Sequence, residues 1–170
     1  MKQGKFVIAV YVDNKYGVLT RVTSMFTRRG FNIDALTVGE TESPEYSRIT
    51  ISLSGDGYAR EQLINQMKKL FNVKKVEVLE DSECIKRELM LIKIYNRPEN
   101  RADIHFAVDA YRAKVVDYTT DGMCIEVTGD PSKIDAFVEL MRDFEITEIC
   151  RTGIVALDRG ENTIRKVNYL

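Results

Sequence analysis

"DNKYGVLTRVTSMFTRRGFNI", residues 13–33, decides how the chain is read. Val18, Leu19, Val22, Met25 and Phe26 recur at helical spacing, so the stretch predicts an amphipathic helix that Gly30 closes as its C′ residue. Ahead of it, "KFVIAVYV" is rich in β-branched and aromatic residues and predicts a strand. Between the two lies the polar turn Asn14–Gly17, with no histidine, cysteine or metal-ligand spacing. Such a turn is built to bind rather than to react.

Working outward, the same order of elements appears twice. "FNIDALTVGE" and "YSRITISLS" predict two strands around the turn-rich "TESPE". "GYAREQLINQMKKLF" predicts a helix with Leu63, Met67, Leu70 and Phe71 on one face, and "VKKVEVLE" a closing strand. After the polar link "EDSECIK", a second round begins with the strand "RELMLIKIY" and the helix "NRADIHFAVDAYRA". "KVVDYTT" and "GMCIEVTG" form a hairpin around Asp121–Gly122. Asp130 then caps a helix that opens on Pro131, and "ITEICRTGIVAL" closes the round as a strand. Two β-α-β-β-α-β units predict an α+β chain of two ferredoxin-like sandwiches. Their expected bounds are 1–80 and 87–160, with 161–170 as a flexible tail. Units of about 80 residues are marginal alone, so packing against a second surface is expected.

Bulk properties narrow the function. In 170 residues, 25 Lys and Arg nearly balance 26 Asp and Glu, and the net charge of -1 gives no electrostatic footprint for nucleic acid. The apolar run after Lys5 is too short for a membrane span and lacks a small-residue cleavage site, so no membrane association is expected. Cys84, Cys124 and Cys150 are scattered, which fits a reducing cytoplasm rather than a disulfide framework or a zinc ribbon. Cys84 lies in the link and Cys124 in a strand, with no activating base nominated for either. His105, the single histidine, lies beside an apolar helical stripe and lacks a ligand cluster. No P-loop, GxGxxG or GxSxG is present. Arg28 and Arg29 suit the negative end of the first helix without a ligand. Metal, catalytic residues and cofactor are therefore all expected to be absent.

The opening turn carries the binding argument. A helix starting at Gly17 leaves the amides of Gly17, Val18 and Leu19 without helical carbonyl partners, an end that favours an anion such as a free carboxylate. Asn14 offers acceptor positions for an ammonium group. The plainer account, that Asn14 caps the helix or forms an Asx-turn, stands beside this one. Asn32 begins a strand expected at the sheet edge, where "NIDALTVGE" is long, nearly uncharged and free of proline. Two copies meeting edge to edge would bring Asn32 of one toward the Asn14–Leu19 turn of the other. Leu19 and Ile33 would then wall a pocket for a small apolar amino acid.

Asn14 to Gly39, read with "SRITI", "RELMLIKI" and "RTGIVALDRG", resembles the regulatory (small) subunit of acetolactate synthase, also called acetohydroxyacid synthase. The first unit is similar to its ACT domain, and the likeness spans nearly the whole chain. The resemblance implies a non-catalytic subunit in branched-chain amino acid biosynthesis. It would bind and activate a separate catalytic subunit, to which thiamine diphosphate, Mg and, where used, FAD belong. It would confer feedback inhibition by valine, or by leucine or isoleucine. The effector contacts carry over onto Asn14, Gly17, Val18 and Leu19 of one chain and Asn32 and Ile33 of the other, across an ACT–ACT homodimer. Tyr16 departs from the Pro or Ser common before the glycine, and the second unit lacks a counterpart of Gly17. An amino-acid-binding ACT regulator of a different enzyme is the alternative. A stand-alone enzyme and an RNA-binding sheet are the rivals of other classes; the first lacks a nucleophile–base constellation, the second an aromatic, basic strand face.

Overall fold

The computed structural model of the chain describes residues 4–165. Its first round of elements is β1 (Gly4–Asp13), α1 (Val18–Arg28), β2 (Ile33–Glu40), β3 (Tyr46–Gly55), α2 (Gly57–Met67) and β4 (Val73–Val78). The second is β5 (Cys84–Tyr95), α3 (Arg101–Ala110), β6 (Lys114–Tyr118), β7 (Gly122–Gly129), α4 (Pro131–Met141) and β8 (Ile146–Arg151), after which β9 (Val155–Asp158) follows. The first sheet is antiparallel with order β2-β3-β1-β4, and the second has the equivalent order β6-β7-β5-β8. The chain is thus α+β, with two ferredoxin-like βαββαβ units.

Each helix is held by the apolar stripe that its sequence spells out. Val18, Val22 and Phe26 of α1 and Leu63 and Met67 of α2 are buried against Ile8, Val10, Val12, Ile49, Ile51 and Leu53 of the first sheet. Ile104 and Val108 of α3, with Ile134, Phe137 and Met141 of α4, cover Met90, Ile92, Ile94, Met123, Ile125 and Val127 of the second. Gly30 takes φ +70 just beyond α1, the left-handed conformation that a C′ residue needs. Asp130 caps α4 through an oxygen that accepts from the Lys133 amide at 3.1 Å, with Pro131 at the helix start.

Two expectations are corrected. Phe71 is not on the buried face of α2: the helix ends at Met67, and the Phe71 ring is exposed with the Lys74 ammonium 5.7 Å from its centre. "ITEICRTGIVAL" is not one strand, because Gly153 at φ +80 separates β8 from β9. The end of the chain adds a further observation. By compactness the second unit comprises Lys86–Gly153, and the described residues 154–165 group with the first unit, which runs to Ile85.

The reason lies in β1. Its continuous apolar run buries both faces, as a strand covered on two sides must. Val7, Ala9 and Tyr11 point away from α1 and α2 and are covered by Leu79, Cys84, Ala156 and Ile164. Arg48 of β3 donates to the Ala156 carbonyl at 2.8 Å, and the Arg159 amide donates to the Glu83 carbonyl at 2.8 Å. Ile164 is buried and Arg165 pairs with Glu42 at 2.8 Å, while 166–170 of the tail expected to be flexible lie outside the described residues.

Candidate functional site

The turn after β1 is fixed from below before anything is offered to a ligand. Asp13, the last residue of β1, is buried; its carboxylate accepts from Asn72 Nδ2 at 3.0 Å and pairs with Lys74 Nζ at 3.1 Å. Burial by itself would raise the Asp13 carboxyl, but the Asn72 hydrogen bond and the Lys74 ammonium outweigh it and hold the group below the ordinary carboxylate range. Asn72 Oδ1 in turn accepts from Arg21 Nη1 of α1 at 3.2 Å, so strand end, helix and the loop before β4 are tied together.

On this base stands Asn14. Its amide N–H donates to the Glu45 carbonyl at 2.7 Å. Its side-chain Nδ2 donates to the Pro44 carbonyl at 2.9 Å and to Glu40 Oε1 at 3.1 Å. Asn14 therefore does not cap α1. The N-cap is Gly17, at φ 78 and ψ −4, and among the described residues there is no side-chain cap hydrogen bond. A Cβ at this left-handed position would be strained although space is open around it. The first turn of α1 holds no acidic residue that would fill the positive end from within.

The remaining expected residues divide. Val18 is buried in the core, so only its backbone faces the turn, and its N–H makes a long bond of 3.3 Å to the Lys15 carbonyl. Leu19 is exposed rather than part of the buried stripe, which leaves it available as an apolar wall. Asn32 is exposed and Ile33 half-buried at the start of β2, while Glu40, the partner of Asn14, is at its other end. Eight residues of strand separate those ends, about 25 Å at roughly 3.3 Å each. Within one chain the structure brings Asn14, Gly17, Val18 and Leu19 together and keeps Asn32 and Ile33 apart from them.

Two residues that the sequence reading missed belong to this description. Glu40 bonds Asn14 from 26 positions away, and only knowledge of the β2–β3 connection would have paired them. The second is Asn96, which occupies in the second unit the place of Asn14 in the first. Its N–H donates to the Asp121 carbonyl at 3.0 Å and its Nδ2 to the Thr119 carbonyl at 2.7 Å. Arg101, the first residue of α3, donates through Nε to Asn96 Oδ1 at 2.9 Å. The amide is buried with donor and acceptor sides both used.

Elsewhere, an open groove of about 230 Å³ runs between Arg29, Phe31, Tyr58, Gln62 and Gln66 and shares no residue with the expected set. His105 is exposed beside Tyr118, and Cys124 and Cys150 are half-buried and exposed. Among the described residues no group of three or more His, Cys, Asp and Glu is placed to hold a metal ion, and no helix is long and apolar enough to cross a membrane.

The first unit is a βαββαβ sandwich whose first strand passes through an asparagine and a left-handed glycine into a helix, and a second unit of the same fold follows. Residues 8–75 match the family model of the acetohydroxyacid synthase small subunit-like ACT domain, and residues 87–160 that of the small subunit of acetolactate synthase. The chain belongs to the acetolactate synthase small-subunit family. It is 44% identical to the probable small subunit of Methanothermobacter thermautotrophicus, over 96% of this chain and 98% of that one. It is 48% identical to that of Archaeoglobus fulgidus, over 92% and 98%. The crystal structure of the acetolactate synthase small subunit from Thermotoga maritima superposes with a TM-score of 0.85 at 38% identity, covering 94% of this chain and 99% of that one.

Proposed function

We propose that the chain is a non-catalytic regulatory subunit of acetolactate synthase. It activates the thiamine-diphosphate-dependent catalytic subunit in the cytoplasm and imposes feedback inhibition by valine bound between two ACT domains. Thiamine diphosphate, Mg and, where used, FAD then concern the partner, and this chain's part is to bind and to switch.

The observation that carries the reading is the separation of Asn32 from Asn14 along an edge strand. β2 pairs on one side alone, with β3, and the residues from Ala35 to Gly39 carry no charge. Such an edge is a template for a second copy. If two β2 strands pair antiparallel about a two-fold near their middle, the start of each lies beside the end of the other. Asn32 and Ile33 of the partner copy then approach Glu40, Asn14 and the uncapped start of α1. The helix end takes the ligand carboxylate, Asn14 Oδ1 accepts from its ammonium, and Leu19 with the partner copy's Ile33 encloses a branched side chain.

Because each site needs both copies, valine stabilises one relative placement of the two chains. It shifts the holoenzyme only by the difference in its affinity for inhibited and active arrangements, about 1–3 kcal/mol in switches of this kind. The test is valine titration of reconstituted holoenzyme with Gly17→Asp. The added carboxylate occupies and repels the anion site, so valine inhibition is lost while activation by the subunit remains. Full valine inhibition of that variant would overturn the assigned site.

A further inference from the structure

The two groups that Asn14 Nδ2 touches are a peptide carbonyl, Pro44 O at 2.9 Å, and a carboxylate oxygen, Glu40 Oε1 at 3.1 Å. Neither donates, so the nitrogen side of the amide must face them. Both of its hydrogens are then committed, and Oδ1 is turned away from them. An asparagine is otherwise ambivalent, able to offer an anion its N–H or a cation its oxygen. Here the choice is made by the protein. Glu40 contributes twice: it accepts one of the two hydrogens through Oε1, and it brings an exposed carboxylate to the same amide whose oxygen faces outward. The start of α1, a few residues on, has the opposite polarity and no acidic residue in its first turn.

We propose that Glu40 is the specificity-determining residue of the effector site. It orients Asn14 oxygen-outward and adds a negative charge within one hydrogen bond of that amide, so that the site selects a free α-ammonium group alongside a carboxylate. This rests on the effector site proposed above and names its ligand class. Free amino acids are accepted. The 2-oxo acid with the same branched side chain and the N-acylated amino acid are refused, although both keep the carboxylate and the apolar group. Refusal follows because an unpaired Asn14 oxygen and the Glu40 carboxylate lose their water without a replacement donor.

The experiment is calorimetric titration of the full-length chain with L-valine, N-acetyl-L-valine and 3-methyl-2-oxobutanoate, repeated for Glu40→Gln and Glu40→Leu. The wild-type chain binds valine at least about 30-fold more tightly than either analogue, in line with loss of a charged hydrogen-bond donor. Glu40→Gln keeps an acceptor for Asn14 but removes the charge, and weakens valine about tenfold. Glu40→Leu removes both and weakens valine further, while the 2-oxo acid is bound as before or better, so the preference collapses. A side chain serving only to support the fold would lower affinity for all three ligands together, and the melting temperature of each unliganded variant checks this. Wild-type valine affinity in Glu40→Gln, or a wild-type chain binding the 2-oxo acid within a few-fold of valine, overturns the role of Glu40 and leaves the effector site standing. A wild-type chain that binds none of the three overturns both.

Discussion

Asn14 and Asn96 stand at the same point of the same fold, one residue past the end of the first strand of each unit, and they are used in opposite ways. Each bonds its backbone N–H and its Nδ2 to carbonyls of the strand connection alongside: Glu45 and Pro44 for Asn14, Asp121 and Thr119 for Asn96. The difference is the carbonyl end. Arg101 bonds Asn96 Oδ1 at 2.9 Å and its guanidinium lies 5.9 Å from the Tyr118 ring, so the place where the first unit would receive an ammonium is filled by the second unit's own cation. At the start of α1 the chain has Gly17, Val18 and Leu19 instead, and among the described residues no side chain of this turn bonds Asn14 Oδ1. One fold yields a satisfied, buried amide in one copy and an exposed, directed one in the other. What distinguishes the two asparagines here is a single arginine at the first helical position of the second unit.

Substitutions at the two asparagines give the largest expected contrast. With valine at about 100 times its Kd the native state gains about 2.7 kcal/mol, and Asn14→Ala removes most of that gain while the unliganded melting temperature stays nearly unchanged. Asn96→Ala has the reverse profile. Leaving the Arg101 guanidinium and the Thr119 carbonyl without their partner costs about 2 kcal/mol of stability, with the valine-dependent rise intact. Thermal unfolding with and without valine reads both effects, and a valine response lost in Asn96→Ala would dissolve the distinction.

A smaller contrast lies one residue earlier, where the first unit has Asp13 and the second has Tyr95. Asp13 titrates below the ordinary carboxylate range in the folded state. Its contribution to stability is therefore fully present above the unfolded carboxyl's pKa and is lost as the pH falls through the lowered folded value. Urea unfolding of wild type and Asp13→Asn should differ at pH 7 and converge well below pH 4. An unchanging difference across that range would show that the charge on Asp13 is not what ties Asn72 and Lys74 to the turn.

Much of this architecture was legible in the sequence because short-range periods encode it. The stripe Val18, Val22, Phe26 and the pair Asp130–Pro131 are local signals, and each marks an element where it was expected. Gly17 and Gly30 mark the two ends of α1 for the same reason: both require positive φ. Contacts that close over long separations were not legible. Nothing local tells that Ile164 returns to cover Val7 and Tyr11, that Glu40 reaches Asn14, or that Arg101 folds back onto Asn96. Leu19 and Phe71 were misplaced because a stripe drawn at 3.6-residue spacing has soft edges, and where a helix stops decides whether its last apolar residue is covered.

The central proposal is that two chains complete each effector site, and a mixing experiment tests it most directly. Asn14→Ala and Asn32→Ala each bind no valine alone. When the two variants are dissociated, mixed in equal amounts and reassociated, half of the dimers are mixed, and each of those pairs one doubly defective site with one intact site. Calorimetric titration of the mixture should recover about a quarter of the wild-type valine sites at wild-type affinity. Recovery of none, although exchange is verified by mass, would place Asn14 and Asn32 outside any shared pocket and contradict the account.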